Sequence, residues 1–263
     1  MEKFAQLGAD IAKLWSKYGT SHYLPGIRNT LILALVATLI GCVIGFVCGV
    51  LNTIPHSKND PPVKRFFLAL VRAVVRIYVE VFRGTPMVLQ AVFLYYGLPY
   101  FTDNAVKFNS IWAAAIVVVS VNTGAYMAEI VRGGIISVDK GQLEGAYSVG
   151  MTHAQAMVKV VIPQVLQNIL PSISNEFVIN IKDTSVLNVI GVTELYYMAG
   201  VIKRINLQTF QVYTVICVLY FILTFTVTRL LRLAEKKLAG SDSYTICGSG
   251  SDSQAEIHIR EAQ

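Results

Sequence analysis

The sequence predicts an all-α integral membrane protein, and two observations carry the prediction. Of its 263 residues, 54% are hydrophobic and only 14% charged, with a mean hydropathy of +0.55. The apolar residues also fall in runs of about 20, the length a helix needs to cross a hydrocarbon core roughly 30 Å thick. Lipid offers no partner for a backbone N–H or C=O, so such runs satisfy themselves internally as helices.

Five spans follow, at about 27–51, 77–101, 111–131, 164–184 and 209–231. Residues 1–26 are charged and amphipathic, without the apolar core and small-residue site of a cleavable signal peptide. They are expected outside the membrane as an extracytoplasmic segment. Residues 64–76 read either as a separate helix or as an extension of the second span. Residues 185–208 are apolar but interrupted by Gly191 and Gly200, which predicts short helices near the outer surface, buried against the bundle. From residue 232 onward a polar cytoplasmic tail is expected, and its Ser/Gly/Asp-rich part, 240–263, has the composition of disordered chain.

The four cysteines give no framework. Cys42, Cys48 and Cys217 lie in apolar helices and Cys247 in the tail, with neither ligand spacing nor a disulfide pattern. The net charge of +6 does not point to nucleic acid, because the basic residues flank apolar spans instead of clustering with aromatics. They report orientation. With the N-terminus outside, thirteen Lys/Arg fall on the inner side and seven on the outer, while Arg83 and Lys182 lie within spans. The C-terminus and the 132–163 loop are then cytoplasmic.

Charge within a span is costly and marks a pathway or a pair. In the fourth span Asn168, Ser172, Glu176, Asn180 and Asp183 recur at i, i+4, i+8, i+12 and i+15, one helical face that would border a water-accessible cavity. Pro171 removes a hydrogen bond within that span and predicts a kink. Glu176 and Asp183, about 10 Å apart along the axis, could hold a cationic group; alternatively Asp183 pairs with Lys182 or caps the interrupted region. In the third span Asn122, Tyr126 and Glu129 share a face, with Glu129 also placed to pair with Arg132. In the second span Arg83 precedes Gly84-Thr85-Pro86, where the backbone should be irregular. Its guanidinium matches an α-carboxylate, but Glu80 three residues before it offers a local salt bridge. Gln90, seven residues on, would share its side of the helix.

The loop GQLEGAYSVGMTHAQAMVKVVIP, residues 141–163, is the polar exception in this apolar chain. Glu144 suits the first turns of a short helix, Ala146 allows close approach, and Gly150 permits the turn that ends it. Pro163 suits the first turn of the next helix. Glu144, Gly145, Ala146, Gly150, Ile162 and Pro163 resemble the E-A-A…G…I-x-L-P cytoplasmic loop of ABC importer permeases, departing from it at Gly145, where the family has Ala. VFRGTPMVLQAVFLYYGLP (81–99), AYMAEIVRGGIISVDKGQLEGA (125–146) and KDTSVLNVIGVTEL (182–195) are similar, in order and spacing, to permeases of the polar amino-acid ABC importers. That subfamily handles histidine, glutamine, glutamate, arginine and opines.

The resemblance, over about 27–231, implies a type I importer fold with a coupling helix that docks on an ATPase. It also implies the partners: a cytoplasmic ABC ATPase dimer, a second permease subunit (the same chain or a paralogue), and an extracytoplasmic binding protein that delivers the amino acid. Arg83, Asn122, Glu176 and Asp183 are the candidate substrate contacts, and Glu144, Ala146 and Gly150 the coupling residues. The excess of acidic over basic residues on the expected pathway face tilts the expected substrate toward cationic amino acids. No G-x-x-x-x-G-K-[ST] loop occurs in the chain, so ATP is expected on the partner and no cofactor here.

Two other classes compete. An intramembrane enzyme could use Glu176 and Asp183 as an acid pair, yet His22, His56, His153 and His258 all lie outside the spans and no Ser/His dyad is present. A passive channel or scaffold would have no use for the 141–163 docking helix.

Overall fold

A computed structural model describes residues 1–54 and 61–238, and these are helical almost throughout. Four helical stretches are long and apolar enough to cross a membrane: Glu2–Thr53, Ile111–Ser137, His153–Ile190 and Thr209–Lys237. A shorter apolar helix, Met87–Phe101, joins them. The first stretch comprises α1 (Glu2–Tyr18), a π-helical turn and α2 (Leu24–Thr53).

The expected single span 77–101 is divided. Its first part belongs to α3 (Pro62–Gly84), which also takes in residues 64–76. The backbone turns extended at Thr85 and Pro86, then resumes as α4 (Met87–Val92), a π turn and α5 (Leu98–Phe101). The 15 residues from Met87 reach only about 22 Å, short of the hydrocarbon thickness, so they cross only together with the end of α3.

The centre of the molecule is the seam between α2 and α6 (Ile111–Ser137). Gly41, Gly45 and Gly49 recur every fourth residue and meet Thr123, Met127 and Val131 of α6 in the same order, so the two helices run parallel. A Cβ on Gly41 would sit 2.7 Å from Thr123 Cβ, and one on Gly49 2.7 Å from Val131 Cβ. Small residues are what allow helices to approach this closely where lipid supplies no hydrophobic drive. Against this pair lie α3 on one side and α9 (Ile162–Asp183) on the other, both antiparallel to α6.

Residues 184–206 form short elements buried against the bundle: a 3-10 helix Thr184–Ile190, a left-handed Gly191, and α10 (Leu195–Asn206). Glu194 is fully buried at the N-terminus of α10, where its carboxylate accepts from Tyr196 N–H, Tyr197 N–H and the Tyr220 hydroxyl. Burial pushes that carboxyl upward from its ordinary value against the pull of these three donors. Asn29 donates to the Thr193 carbonyl and Leu195 N–H donates to Thr30 Oγ1, tying α10 to α2.

The last helix, α11 (Thr209–Leu238), continues seven residues into the segment expected as tail from 232. The rest of that tail, 239–263, lies outside the described residues. In residues 1–26, Leu14 and Tyr18 of α1 are buried beside Ala199, Ile202 and Val212.

Candidate functional site: an arginine-lined cleft and an exposed helical loop

A helix that ends inside a membrane leaves carbonyls without partners, and the break at Gly84–Pro86 shows how they are served. The Gln90 side chain, 7% exposed, donates from Nε2 to the carbonyls of Phe82 and Thr85 and to Thr85 Oγ1, each at 2.9 Å. Asn122 of α6 donates to the same Phe82 carbonyl at 3.2 Å and to Gln90 Oε1 at 3.0 Å. Gln90 therefore does not continue the face of Arg83, because two helices with a break between them carry no common register. Its work is to close the break.

Released from a helix interior, Arg83 is exposed and its guanidinium lies 5.4 Å from the centre of the Tyr126 ring. It makes no salt bridge with Glu80. Below it opens a cleft of about 530 Å³ lined by Asn52, Arg72, Arg76, Glu80, Arg83, Glu129 and Arg132. Arg132 engages Glu129 through two nitrogens, at 3.3 and 2.9 Å, the local pair the sequence left open. The expected common face of Asn122, Tyr126 and Glu129 is thus the face turned to α3 and the cleft. Tyr126 was not among the candidate contacts; its aromatic ring on the same face as Asn122 was the available signal.

Glu176 and Asp183 do not join this cleft. Glu176 is 9% exposed on α9. Asn180, one turn along, is buried and bridges three helices: its Nδ2 donates to Thr38 Oγ1 at 2.8 Å and to Thr123 Oγ1 at 2.9 Å. Asn168 and Asp183 are exposed. The polar stripe expected to border one cavity is therefore split, with its middle serving as an internal tie. Among the described residues Asp183 makes no salt bridge and no capping bond, while the charge of the adjacent Lys182 acts on its carboxylate. The cleft itself carries four arginines against two glutamates, the reverse of the acidic excess expected along the pathway.

At the end of the bundle where α2 and α6 terminate, the 132–163 loop is almost wholly helical. Asp139 caps α7 (Lys140–Ser148), its Oδ1 accepting from Gly141 N–H at 2.6 Å. Gly150, at φ +80°, closes it: Met151 N–H donates to the Ala146 carbonyl and Gly150 N–H to that of Tyr147, the two bonds of a Schellman ending. Thr152 and Gln155 then cap each other reciprocally to start α8 (His153–Ala156). Tyr147 Oη and His153 Nδ1, 2.8 Å apart, lock the two short helices together.

Ala146 is buried and Leu143 packs against the cluster that holds Val138, Val161 and Val165, while Glu144, Gly145, Tyr147 and Val149 are exposed. Pro163 stands, as expected, in the first turn of α9 (Ile162–Asp183). It follows a π-helical turn, Met157–Val161, in a stretch continuous from His153, and that irregular turn accommodates the missing N–H.

Broken membrane helices around a polar cleft, with a capped helical loop beyond the membrane ends of α2 and α6, define a membrane subunit of a transport system. Residues 64–240 match the family described as the binding-protein-dependent transport system inner membrane component, and the chain belongs to that family. It is 32% identical over 217 residues to the glutamine transport system permease protein of Escherichia coli (strain K12), covering 81% of this chain and 91% of that one. It is 34% identical over 233 residues to the octopine transport system permease protein of Rhizobium radiobacter, covering 86% and 89%. Among solved structures, an amino acid ABC transporter crystallised with histidines superposes with TM-score 0.73 at 34% identity, over 85% of this chain and 97% of that one. The MetNI methionine ABC transporter, at 19% identity and TM-score 0.62, shows the shared fold. The relatives are permeases, the membrane subunits of such systems; the ATPase is a separate subunit, and the present chain is on the permease side of that division.

Proposed function

We propose that this chain is the membrane-spanning permease of an ATP-driven importer that carries polar amino acids handed over by an extracytoplasmic binding protein. A separate cytoplasmic ATPase dimer binds the nucleotide and docks on α7, and a second permease subunit completes the pore. The N-terminus is outside and the C-terminus inside, which places α7 on the ATPase side. The relatives named for glutamine and octopine transport support the substrate class. The observation that carries the coupling role is the two-sided build of α7. Leu143 and Ala146 anchor it while Glu144, Gly145, Tyr147 and Val149 stay outside for a partner.

In this reading Arg83 engages the substrate α-carboxylate. Asn122 has already committed its NH2 group to Phe82 and Gln90, so its Oδ1 remains to accept from the α-ammonium. Glu176, which stands outside the Arg83 cleft, is read as the acid for a cationic side chain, favouring lysine or arginine, and Asp183, one to two turns away, as holding a second cation or the outer gate.

Uptake of labelled amino acids into proteoliposomes holding permease, ATPase and binding protein, with and without ATP, is the test. ATP-dependent uptake of a polar amino acid is expected, and none for any polar amino acid refutes the function. Loss of a charged hydrogen bond costs about 1.5–3 kcal/mol, about 10- to 100-fold. Glu176→Gln should weaken uptake of arginine by that factor and of glutamine much less; equal losses remove Glu176 from side-chain recognition.

A further inference from the structure

α3 differs from the other membrane helices in carrying a stripe of arginines. Arg72, Arg76 and Arg83 stand at i, i+4 and i+11, within one face of an α-helix. The opposite face, with Leu70, Val74, Ile77 and Val81, is apolar and exposed. The basic face lines the cleft, and the cleft runs from the break at Gly84 to Asn52 at the α7 end of the bundle. Arg72 is held there, donating to the Ile54 carbonyl at the end of α2. Arg76 is exposed within the cleft. Of the two acids that line it, Glu129 is taken by Arg132, and Glu80 makes no ion pair among the described residues.

An exposed guanidinium that makes no ion pair among the described residues and lines a cleft can take an anion entering it. Arg76 lies about 10 Å along the helix from Arg83, toward the α7 end. The cleft volume is that of a small-molecule site.

We propose that Arg76 is a second carboxylate station on the exit side of Arg83. The α-carboxylate released from Arg83 is received by the Arg76 guanidinium before it leaves at the α7 end. The proposal rests on the Arg83 reading above. Two separated stations keep the anion paired along the cleft between the break at Gly84 and the α7 end, and each releases it to the next without one deep well.

The test uses the reconstituted complex and two readouts, ATP-driven uptake of labelled glutamine and arginine, and label retained per purified complex. Arg83→Gln should abolish retention and uptake. Arg76→Gln should retain label yet slow uptake about tenfold, and Arg76→Lys should recover most of the rate, since a cation is restored. Uptake by Arg76→Gln within twofold of the parent, or a loss that lysine does not repair, overturns the second station. If Arg83→Gln is also without effect, the cleft itself is not the path and the reading beneath it fails. Anionic lipid headgroups are the competing ligand. Vesicles of phosphatidylcholine alone, compared with vesicles containing phosphatidylglycerol, separate the two. If Arg76→Gln lowers uptake only where anionic lipid is present, the arginine serves the headgroups and the proposal falls.

Discussion

The break at Gly84–Pro86 and the loop at 139–156 both interrupt long helices, and they are built in opposite ways. The loop is held by its own neighbours: Asp139 bonds two residues on, Thr152 and Gln155 three apart, Gly150 and Met151 back onto α7. Each of these capping partners is within one or two turns in sequence. The break is held by side chains across the gap and from afar: Gln90 reaches back from the next helix, and Asn122 comes in from α6, far away in sequence. Water can replace a lost cap on the loop, but nothing in a membrane replaces a lost donor at the break. The difference in solvent sets the difference in consequence.

Breaking that contrast should give its largest effect at Gln90. Gln90→Leu leaves the Thr85 carbonyl without its side-chain donor and Phe82 with only Asn122. A carbonyl left without a donor away from water costs about 1–3 kcal/mol. A clear fall in the thermal midpoint of the detergent-purified complex is expected, with uptake lost alongside; an unchanged midpoint would mean that water or another residue serves the break.

Gly150→Ala should act more locally. An added Cβ meets nothing within 4 Å, so any cost is that of a left-handed backbone at φ +80°, about 1–2 kcal/mol. The global midpoint should barely move, while the ratio of transport to ATP hydrolysis falls as α7 loses its ending. A shift in the midpoint as large as that of Gln90→Leu would erase the contrast.

The smallest effect belongs to Gly145→Ala, which fills the one departure from the E-A-A pattern. Its Cβ also meets nothing within 4 Å. Alanine favours a helix over glycine by up to about 1 kcal/mol. Coupling equal to or slightly above that of the parent is expected, whereas a marked loss would place a close partner surface directly over Gly145.

The same contrast explains what the sequence made legible. The loop ending at Gly150 was readable because a lone glycine after a short polar helix encodes its own geometry. The short elements of 184–206 were readable from Gly191, whose positive φ ends the 3-10 helix. The extent of α3 was not, because its arginine stripe lowers hydropathy below that of a span although the helix is membrane-long. The glycine seam of α2 was overlooked since glycines in an apolar run look like breaks until the facing helix is known. Asn180 and Gln90 misled for a related reason: periodicity reports which face a residue is on, not whether that face meets water or another helix.

The central claim is that substrate handling at Arg83 and ATPase coupling at α7 are separate functions of one chain. It is tested most directly by comparing Arg83→Gln with Glu144→Arg in the reconstituted complex, reading retained substrate, ATP hydrolysis and uptake together. Uptake should fail in both. Arg83→Gln should lose retained substrate while ATP hydrolysis by the docked partner continues, and Glu144→Arg should retain substrate while hydrolysis no longer drives its movement. The same pattern of losses in both variants, with both complexes intact, would contradict the account.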